Sequence, residues 1–148
     1  MSTPKALPYE TTLLVRDCCL CLHMQRAARA LARRFDDVLR PFELTNGQFS
    51  LLMSLNRPEP PSMGPVASLL AMDRTTLTAA LKPLERRGLV KVLKDQSDRR
   101  TRILKLTDDG RNLLAHALPV WKSTHDEVEQ LLPDRDPDEL RRNLLALS

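Results

Sequence analysis

The sequence has few aromatic residues and no long apolar run. Only 3% of its 148 residues are aromatic, whereas helix formers such as leucine, alanine and arginine dominate. The core therefore has to be built mainly from leucine and alanine packed between helices. Because the length suits one ordinary domain, the composition predicts a single, mainly α-helical domain.

Signals for a membrane or for export are also missing. The chain contains no run of about 18 apolar residues. Its first residues, MSTPKALPYE, lack the apolar centre of a signal peptide. We therefore expect a cytoplasmic protein with no membrane partner.

Cysteine is scarce and confined to one place. Cys18, Cys19 and Cys21 lie within four residues of one another, which is a poor framework for stapling a fold, so we expect reduced thiols. Together with His23 they point in several directions from one helix. Neither a metal site nor a cofactor is expected.

Positive charge is concentrated in one part of the chain. The net charge is +4, but residues 74–111 hold eleven lysines and arginines against five acidic residues, a local charge of +6. The rest of the chain therefore has a net charge of −2. A localised basic region favours a polyanionic partner, most often nucleic acid.

Apolar periodicity predicts long helices near both ends of the chain. One helix covers residues 11–39 and has an apolar side along its whole length. Another begins after Thr107, is kinked near Pro119, and is followed by a short final helix over residues 138–147. The seven-residue repeat of the first helix comprises Leu14, Cys21, Ala28 and Phe35.

Two shorter helices are predicted in the middle of the chain. The first, TNGQFSLLMSL, is capped by Thr45. The second, GPVASLLAM, has Pro65 in its first turn and buries Val66, Leu69 and Leu70. A two-residue turn is expected between the second helix and the next one.

The stretch DRTTLTAALKPLERRGLV predicts a helix with two chemically different faces. Asp73 caps this helix, Gly88 ends it, and Pro83 is expected to bend it without breaking it. The apolar face consists of Leu77, Ala80, Leu81 and Leu84, and the opposite face of Thr75, Thr78, Ala79, Lys82 and Arg86.

A β-hairpin with a charged tip follows this helix, since β-capable runs at 90–93 and 101–106 flank KDQSDRR. A short helix, a polar helix and an arginine-tipped hairpin follow one another in this order in a winged helix-turn-helix. There the second helix enters the major groove and the hairpin reaches a flanking groove or phosphates. Two alternatives remain: an ordinary solvated helix face, and a winged-helix module that binds an acidic protein without binding DNA.

The same residues resemble the MarR (multiple antibiotic resistance regulator) family. Its pattern includes a helix that ends in L-x-x-x-G-L-(I/V), a D-x-R wing and an L-T-x-x-G entry to the next helix. Residues 84–90, 98–100 and 106–110 match these three parts. The segment LRPFELTNGQFSLLMSL also resembles the family's first two helices, so the resemblance covers nearly the whole chain.

The resemblance implies a fold class, a domain layout and a function. The fold is mainly α with a small β-hairpin wing, in a single domain over 1–148. Residues 45–110 form a DNA-binding winged core, and residues 11–41 and 112–148 form dimerisation helices. The implied protein is an obligate homodimer that binds a pseudo-palindromic operator in double-stranded DNA, with half-sites about 34 Å apart. Such regulators are usually repressors released by a small aromatic or lipophilic inducer, or by oxidation of a cysteine.

The resemblance also assigns DNA contacts to the wing and to the polar helix. Arg100 enters the minor groove, Asp98 orients it by a charge-assisted bond, and Arg99 meets a phosphate. For Arg86, a phosphate contact and a solvent-facing position are equal alternatives. The matching residues of the recognition helix are Arg74, Thr75, Thr76, Thr78 and Lys82.

The signal that the protein senses is the least determined property. Cys21 falls near the reactive cysteine of the organic-hydroperoxide-sensing branch of the family, and Cys18 lies one turn before it. Gln25 and Phe35 stand where that branch has tyrosines. The alternative for Cys21 is a small buried apolar residue, which we favour.

A ligand pocket and an enzyme site are the remaining functional hypotheses. Met24, Met53 and Trp121 are candidates for lining an inducer pocket, with plain core packing as the alternative. His116 and His125 have no carboxylate partner that the sequence identifies, and no base is evident for a thiol enzyme. We therefore expect no catalytic activity.

Overall fold

The computed structural model describes all 148 residues and consists of seven α-helices, one 3-10 helical turn at Arg40–Phe42 that follows the second helix, and one antiparallel hairpin. The predicted fold class, mainly helical with a small hairpin, is confirmed. In chain order the elements are α1 (Tyr9–Cys18), α2 (Leu20–Leu39), α3 (Asn46–Ser54), α4 (Met63–Leu69), α5 (Arg74–Arg86), β1 (Val90–Lys94), β2 (Arg102–Leu106), α6 (Asp108–Glu129) and α7 (Pro137–Ala146).

The chain divides into two compact units, Met1–Arg34 and Phe35–Ser148. No residue of the first unit is buried. The second unit contains the whole buried core, which is dominated by leucine, as the composition predicted. None of the helices combines the length and the apolar content needed to cross a membrane.

The prediction of a single helix over residues 11–39 is wrong, because the helix is interrupted at Cys19. The backbone of Cys19 is extended there, with φ −70° and ψ 110°. Its thiol sulfur accepts a hydrogen bond from the backbone N–H of Leu22 at 3.4 Å. Cys19 thus caps α2 much as a serine hydroxyl caps a helix. Apolar periodicity does not register such a break.

Helix α3 begins with the predicted cap. The side-chain oxygen of Thr45 accepts from the N–H of Gln48, and the side chain of Gln48 accepts from the N–H of Thr45, each at 3.1 Å. This reciprocal pair is a capping box. Phe49, Leu51 and Leu52 are buried on the helix that it starts, as predicted.

Helix α4 differs from its prediction in which residues it buries. Val66 and Ala67 are buried, whereas Leu69 is 63% exposed. At 100° per residue, a helix centred on Val66 and Ala67 turns Leu69 away from the core. The connection to α5 has four residues, 70–73, instead of two, because Ala71 makes a left-handed turn with φ 52°.

Helix α5 has the predicted cap, apolar face and stop. The carboxylate of Asp73 accepts from the N–H of Thr76 at 2.7 Å, and this bond holds the pKa of Asp73 below its usual value. The helix continues through Pro83 without a break. Gly88, with φ 72°, ends it. The residues that α5 buries are Leu77, Leu81 and Leu84.

The hairpin packs beside the start of α4. Its register pairs Val90 with Leu106 and Lys94 with Arg102, so β1 is one residue longer than predicted. The N–H of Leu104 donates to the carbonyl of Pro61 at 2.8 Å. The chain before α4 therefore lies along β2, which fixes the hairpin next to the helix-turn-helix.

Helix α6 starts where the hairpin meets the core. The hydroxyl of Thr107 accepts from the N–H of Gly110 at 3.0 Å. A Cβ at Gly110 would lie 2.3 Å from the carbonyl oxygen of Leu89, so only glycine fits this contact. The helix then continues through Pro119, which lies inside α6.

Candidate nucleic-acid interface

The outer face of α5 is the surface that the sequence assigned to DNA. All five of its predicted contact residues are exposed, while the opposite side of the helix is packed into the core. The α5 outer face is thus open to solvent, and its three threonine side chains are short enough to permit close approach of a ligand. It consists of Arg74, Thr75, Thr76, Thr78 and Lys82.

Hydrogen bonding within α5 decides what this face offers to a ligand. The hydroxyl of Thr78 donates to the carbonyl of Arg74 at 2.8 Å, so its oxygen remains available mainly as an acceptor. Lys82 has no side-chain hydrogen bond or ion pair within the chain. Its ammonium is therefore free to meet an anion such as a phosphate.

A basic cleft lies between α4, α5 and the hairpin. It has a volume of about 450 Å³ and contains Arg74, Arg100 and Arg102 without any carboxylate side chain. Arg74 reaches back over α4, since a Cβ on Gly64 would lie 3.6 Å from its Nη2. Three like charges in one cleft without a counter-charge favour a bound polyanion. The remaining lining residues are Ser62, Met63, Gly64, Pro65, Thr78 and Thr101.

Asp98 shapes the wing in a different way from the one predicted. Its carboxylate accepts from the backbone N–H of Arg100 at 3.0 Å and from the hydroxyl of Thr101 at 3.2 Å. The predicted bond to the guanidinium of Arg100 is not formed. An aspartate reaches the backbone two residues ahead more easily than the end of a long side chain. Asp98 therefore fixes the turn, and the guanidinium of Arg100 lines the cleft without a bond to Asp98.

Arg102 is a residue of this cleft that the sequence analysis missed. Its Nη1 donates to the carbonyl of Arg99 at 3.1 Å, and it lines the cleft together with Arg100. Spacing gave no signal for this, because Arg100 lies in the turn before β2 and the side-to-side alternation of an extended strand begins only at Arg102. The wing thus supplies two arginines to the cleft instead of one.

The cysteines lie in the first unit and are not buried there. Cys18 and Cys21 are exposed in the single chain, so burial of Cys21 as an apolar residue would require a second chain and stays a prediction. The amide Nε2 of Gln25 donates to the sulfur of Cys21 at 3.2 Å. A periodic sequence pattern reports which residues share a face, and it does not report whether anything covers that face.

The residues suggested for an inducer pocket have different surroundings. Trp121 stacks on Phe49 with ring centroids 5.7 Å apart and on His125 at 4.8 Å. Met53 and Trp121 pack against the core, and Met24 is half-buried in the first unit. A role for these three residues in ligand binding stays a prediction.

His125 has a carboxylate partner that the sequence analysis overlooked. Its Nδ1 lies 3.5 Å from Oε1 of Glu129, one helical turn further along α6. The same carboxylate accepts from Nη1 of Arg141 at 2.8 Å. The pair therefore belongs to a network that links α6 to α7.

Comparison with known proteins identifies the family of this architecture. The model of the MarR family matches residues 44–101. The transcriptional regulator FarR of Neisseria gonorrhoeae is 30% identical over 121 residues, which is 82% of each chain. TtmR of Methylorubrum extorquens is 38% identical over 94 residues, and the match spans 48% of TtmR, about half its length.

Solved structures agree with this assignment. The transcriptional repressor CouR, bound to a 23-mer DNA duplex, has a TM-score of 0.79 and 30% identity, with 97% of this chain and 99% of CouR covered. The Mycobacterium tuberculosis regulator MosR in complex with DNA has a TM-score of 0.79 and 36% identity, with 87% and 92% covered. The chain belongs to the MarR family of DNA-binding transcriptional regulators.

Proposed function

We propose that this protein is a homodimeric repressor that binds a pseudo-palindromic operator in double-stranded DNA. The observation that carries the proposal is the convergence of Arg74, Arg100 and Arg102 in one cleft beside the α5 outer face. A helix with short polar side chains suits the major groove, and an arginine-tipped wing suits the neighbouring minor groove. The DNA duplexes in the CouR and MosR structures support it.

Each part of the interface has a distinct role in the proposal. Arg100 inserts into the minor groove, and Arg99 neutralises a phosphate. Arg102 binds the phosphate backbone of the DNA where the duplex crosses the cleft. The α5 outer face reads base edges in the major groove through its threonines, while Lys82 and Arg74 meet guanine or phosphate.

The terminal helices supply the dimer in this proposal. Residues 11–41 and 112–148 carry large apolar side chains that the single chain leaves exposed, and residues 45–110 carry the DNA-binding core. A second copy would bury these side chains and hold two recognition helices about 34 Å apart. The exposed apolar residues include Leu14, Leu22, Leu31, Leu140, Leu144 and Leu145.

The signal for release is proposed to be a small lipophilic or aromatic ligand. Oxidation of Cys21 is the second candidate, since its thiol is exposed and accepts a hydrogen bond from Gln25. Mass spectrometry and an operator-binding assay after mild peroxide treatment distinguish the two candidates. Modification of Cys21 together with loss of operator binding would support oxidation as the signal, whereas unchanged binding would exclude it. The proposal places the protein in the cytoplasm, where it acts as a DNA-binding regulator and not as an enzyme.

A footprint on the DNA flanking the protein's own gene, at two salt concentrations, tests the proposal. We expect a protected pseudo-palindrome whose affinity falls with salt by a log–log slope of about 0.9 per phosphate neutralised. No protection at low salt would contradict DNA binding. It would favour the module that binds an acidic protein.

The variants Arg100→Ala and Arg99→Ala locate the wing contacts within this experiment. Each removes one positive charge from the same loop. We expect Arg100→Ala to weaken operator binding by roughly 10- to 100-fold, whereas Arg99→Ala mainly lowers the salt slope by about 0.9. Equal binding by Arg100→Ala and the parent would contradict the proposed role of the wing.

A further inference from the structure

Arg87, the residue that follows α5, joins two distant parts of the chain. Its Nη1 donates to the carbonyl oxygen of Glu43 at 2.6 Å, and its Nη2 donates to that of Phe42 at 3.4 Å. Forty-four residues separate Arg87 from Glu43. The guanidinium therefore connects the end of α5 to the turn that follows α2.

The start of the Arg87 side chain is fixed to α5. Its N–H donates to the carbonyl of Pro83 at 3.1 Å, and the N–H of Leu89 donates to that of Leu84 at 3.0 Å. Leu84 and Leu89 are both buried, and Gly88 closes the helix end in the left-handed conformation. Arg87 must therefore follow any displacement of the recognition helix.

The accepting carbonyls are fixed to the end of α2. Leu39 and Leu44, on either side of the turn, are buried. The N–H of Glu43 donates to the carbonyl of Arg40 at 2.9 Å, and Glu43 adopts the left-handed conformation with φ 54°. The turn is thus tightly defined and keeps both carbonyls directed at one guanidinium.

The chemistry of this contact suits a directional tie. Carbonyl oxygens at the C-terminal end of a helical turn carry partial negative charge, which a cation stabilises. The guanidinium of arginine is planar and presents several donors in a fixed arrangement. It thereby restrains both the distance and the angle between the elements that it joins.

We propose that Arg87 is a positioning residue that sets the recognition helix α5 relative to the end of α2 and does not itself contact DNA. A displacement of the end of α2, the helix whose N-terminal part carries Cys21, is then passed to α5 and changes operator affinity. The inference rests on the proposed DNA-binding function. It adds a route by which a signal sensed outside the winged core alters DNA binding.

Arg86 offers a matched control for this proposal. It lies next to Arg87, is exposed, and makes no side-chain hydrogen bond or ion pair within the chain. The experiment measures affinity for the footprinted operator by fluorescence anisotropy over a range of salt concentrations for the parent, Arg87→Ala, Arg87→Lys and Arg86→Ala. Thermal unfolding of each variant confirms that it is folded.

We expect Arg87→Ala to weaken operator binding about fivefold without changing the salt slope, because no phosphate contact is lost. Lysine should restore part of the affinity, since an ammonium can reach one carbonyl. Arg86→Ala should weaken binding less than Arg87→Ala. Hydrogen exchange of residues 40–44 should become faster in Arg87→Ala and remain unchanged in Arg86→Ala, whatever the effect on affinity.

Three results would overturn the positioning role. The first is parent-like binding and exchange in Arg87→Ala. The second is a salt slope reduced by about 0.9, which indicates a phosphate contact. The third is an equal loss in Arg86→Ala at an unchanged salt slope, which cannot come from a phosphate contact of Arg86 and therefore indicates an effect that is not specific to the bonds of Arg87. If the parent itself fails to bind DNA, the proposed function is contradicted. The hydrogen-exchange measurement still tests whether Arg87 holds the turn at residues 40–44.

Discussion

The two compact units of the chain differ in where their apolar side chains lie. In Met1–Arg34 no residue is buried, and leucines such as Leu14 and Leu20 are at least 60% exposed. In Phe35–Ser148 the core contains leucines with no exposed area at all, such as Leu39, Leu52 and Leu77. Both stretches have periodic apolar residues, so the same sequence pattern has led to two different outcomes.

The difference shows which part of the chain buries its apolar side chains without a second chain. The winged core closes its apolar face with contacts from α3, α5, the hairpin and α6. The helices of Met1–Arg34 leave their apolar side chains exposed or half-buried. Helix α7 likewise has no buried residue. Under the proposed function a second copy covers them, so stability and association should respond to different mutations.

The largest effect is expected at the contact between α6 and the hairpin. Gly110→Ala places a Cβ 2.3 Å from the carbonyl oxygen of Leu89 and 2.7 Å from Cδ1 of Leu106. Because a backbone atom cannot move aside cheaply, we expect a loss of about 4 kcal/mol or failure to fold. Urea unfolding measures this. Gly47→Ala is the control, since its Cβ would meet only Thr45 Oγ1 at 4.0 Å; equal unfolding midpoints would contradict the contact.

The next largest effect is expected inside the winged core. Leu52 is fully buried, so Leu52→Ala should lower the free energy of unfolding by about 3 kcal/mol. If the core is closed within one chain, this loss should not depend on protein concentration. Urea unfolding at two concentrations a hundredfold apart checks the point. A loss that appears only at low concentration would place Leu52 in an interface.

A smaller and different effect is expected at the exposed terminal helices. Leu145 is 74% exposed, so Leu145→Ala should leave the winged core intact and weaken the proposed dimer about fivefold, the equivalent of about 1 kcal/mol of buried apolar surface. Sedimentation equilibrium gives the dissociation constant. Leu69→Ala removes an exposed leucine from α4 and should leave dimerisation unchanged. The same shift in both variants would argue against a terminal-helix interface.

The smallest effect concerns acid stability at the junction of α2 and α3. Asp36 accepts from the backbone N–H of Asn46 at 2.7 Å and from its side-chain Nδ2 at 2.8 Å, and these bonds lower the pKa of Asp36. A lowered folded-state pKa means that the stabilisation is present above the unfolded value of about 3.9. It is lost as the pH falls through the folded-state pKa.

The parent should therefore lose stability below about pH 4 more steeply than Asp36→Asn, which has no carboxylate to protonate. Thermal unfolding between pH 3 and about pH 6 measures the two slopes. Glu127→Gln removes an exposed carboxylate that makes no hydrogen bond and should follow the parent. Parallel curves for the parent and Asp36→Asn would contradict the stabilising role of this carboxylate.

The sequence predicted most of the winged core because its signals are local. The cap at Asp73, the stop at Gly88 and the buried face of Leu77, Leu81 and Leu84 follow from residues within one helix. The positions of the two hairpin strands and the faces of α5 were likewise predictable from the local sequence. The MarR motifs then indicated that these elements together form a winged helix-turn-helix.

Contacts between distant segments were not predictable in the same way. The cleft that brings Arg102 beside Arg74 and the bond from Arg87 to Glu43 depend on tertiary packing. The break at Cys19 depends on a thiol acting as a cap, which no periodicity reveals. The sequence thus predicted elements and faces, while the sites formed between elements required the structure.

Sedimentation equilibrium of the protein mixed with its footprinted operator duplex tests the central claim most directly. The proposed function requires the terminal helices to pair two chains and the winged cores to bind one pseudo-palindrome. We predict two chains per duplex, with the dissociation constant of the complex raised roughly 10- to 100-fold in Arg100→Ala. One chain per duplex would contradict the dimer, and a complex that survives Arg100→Ala unchanged would contradict the wing as a DNA contact.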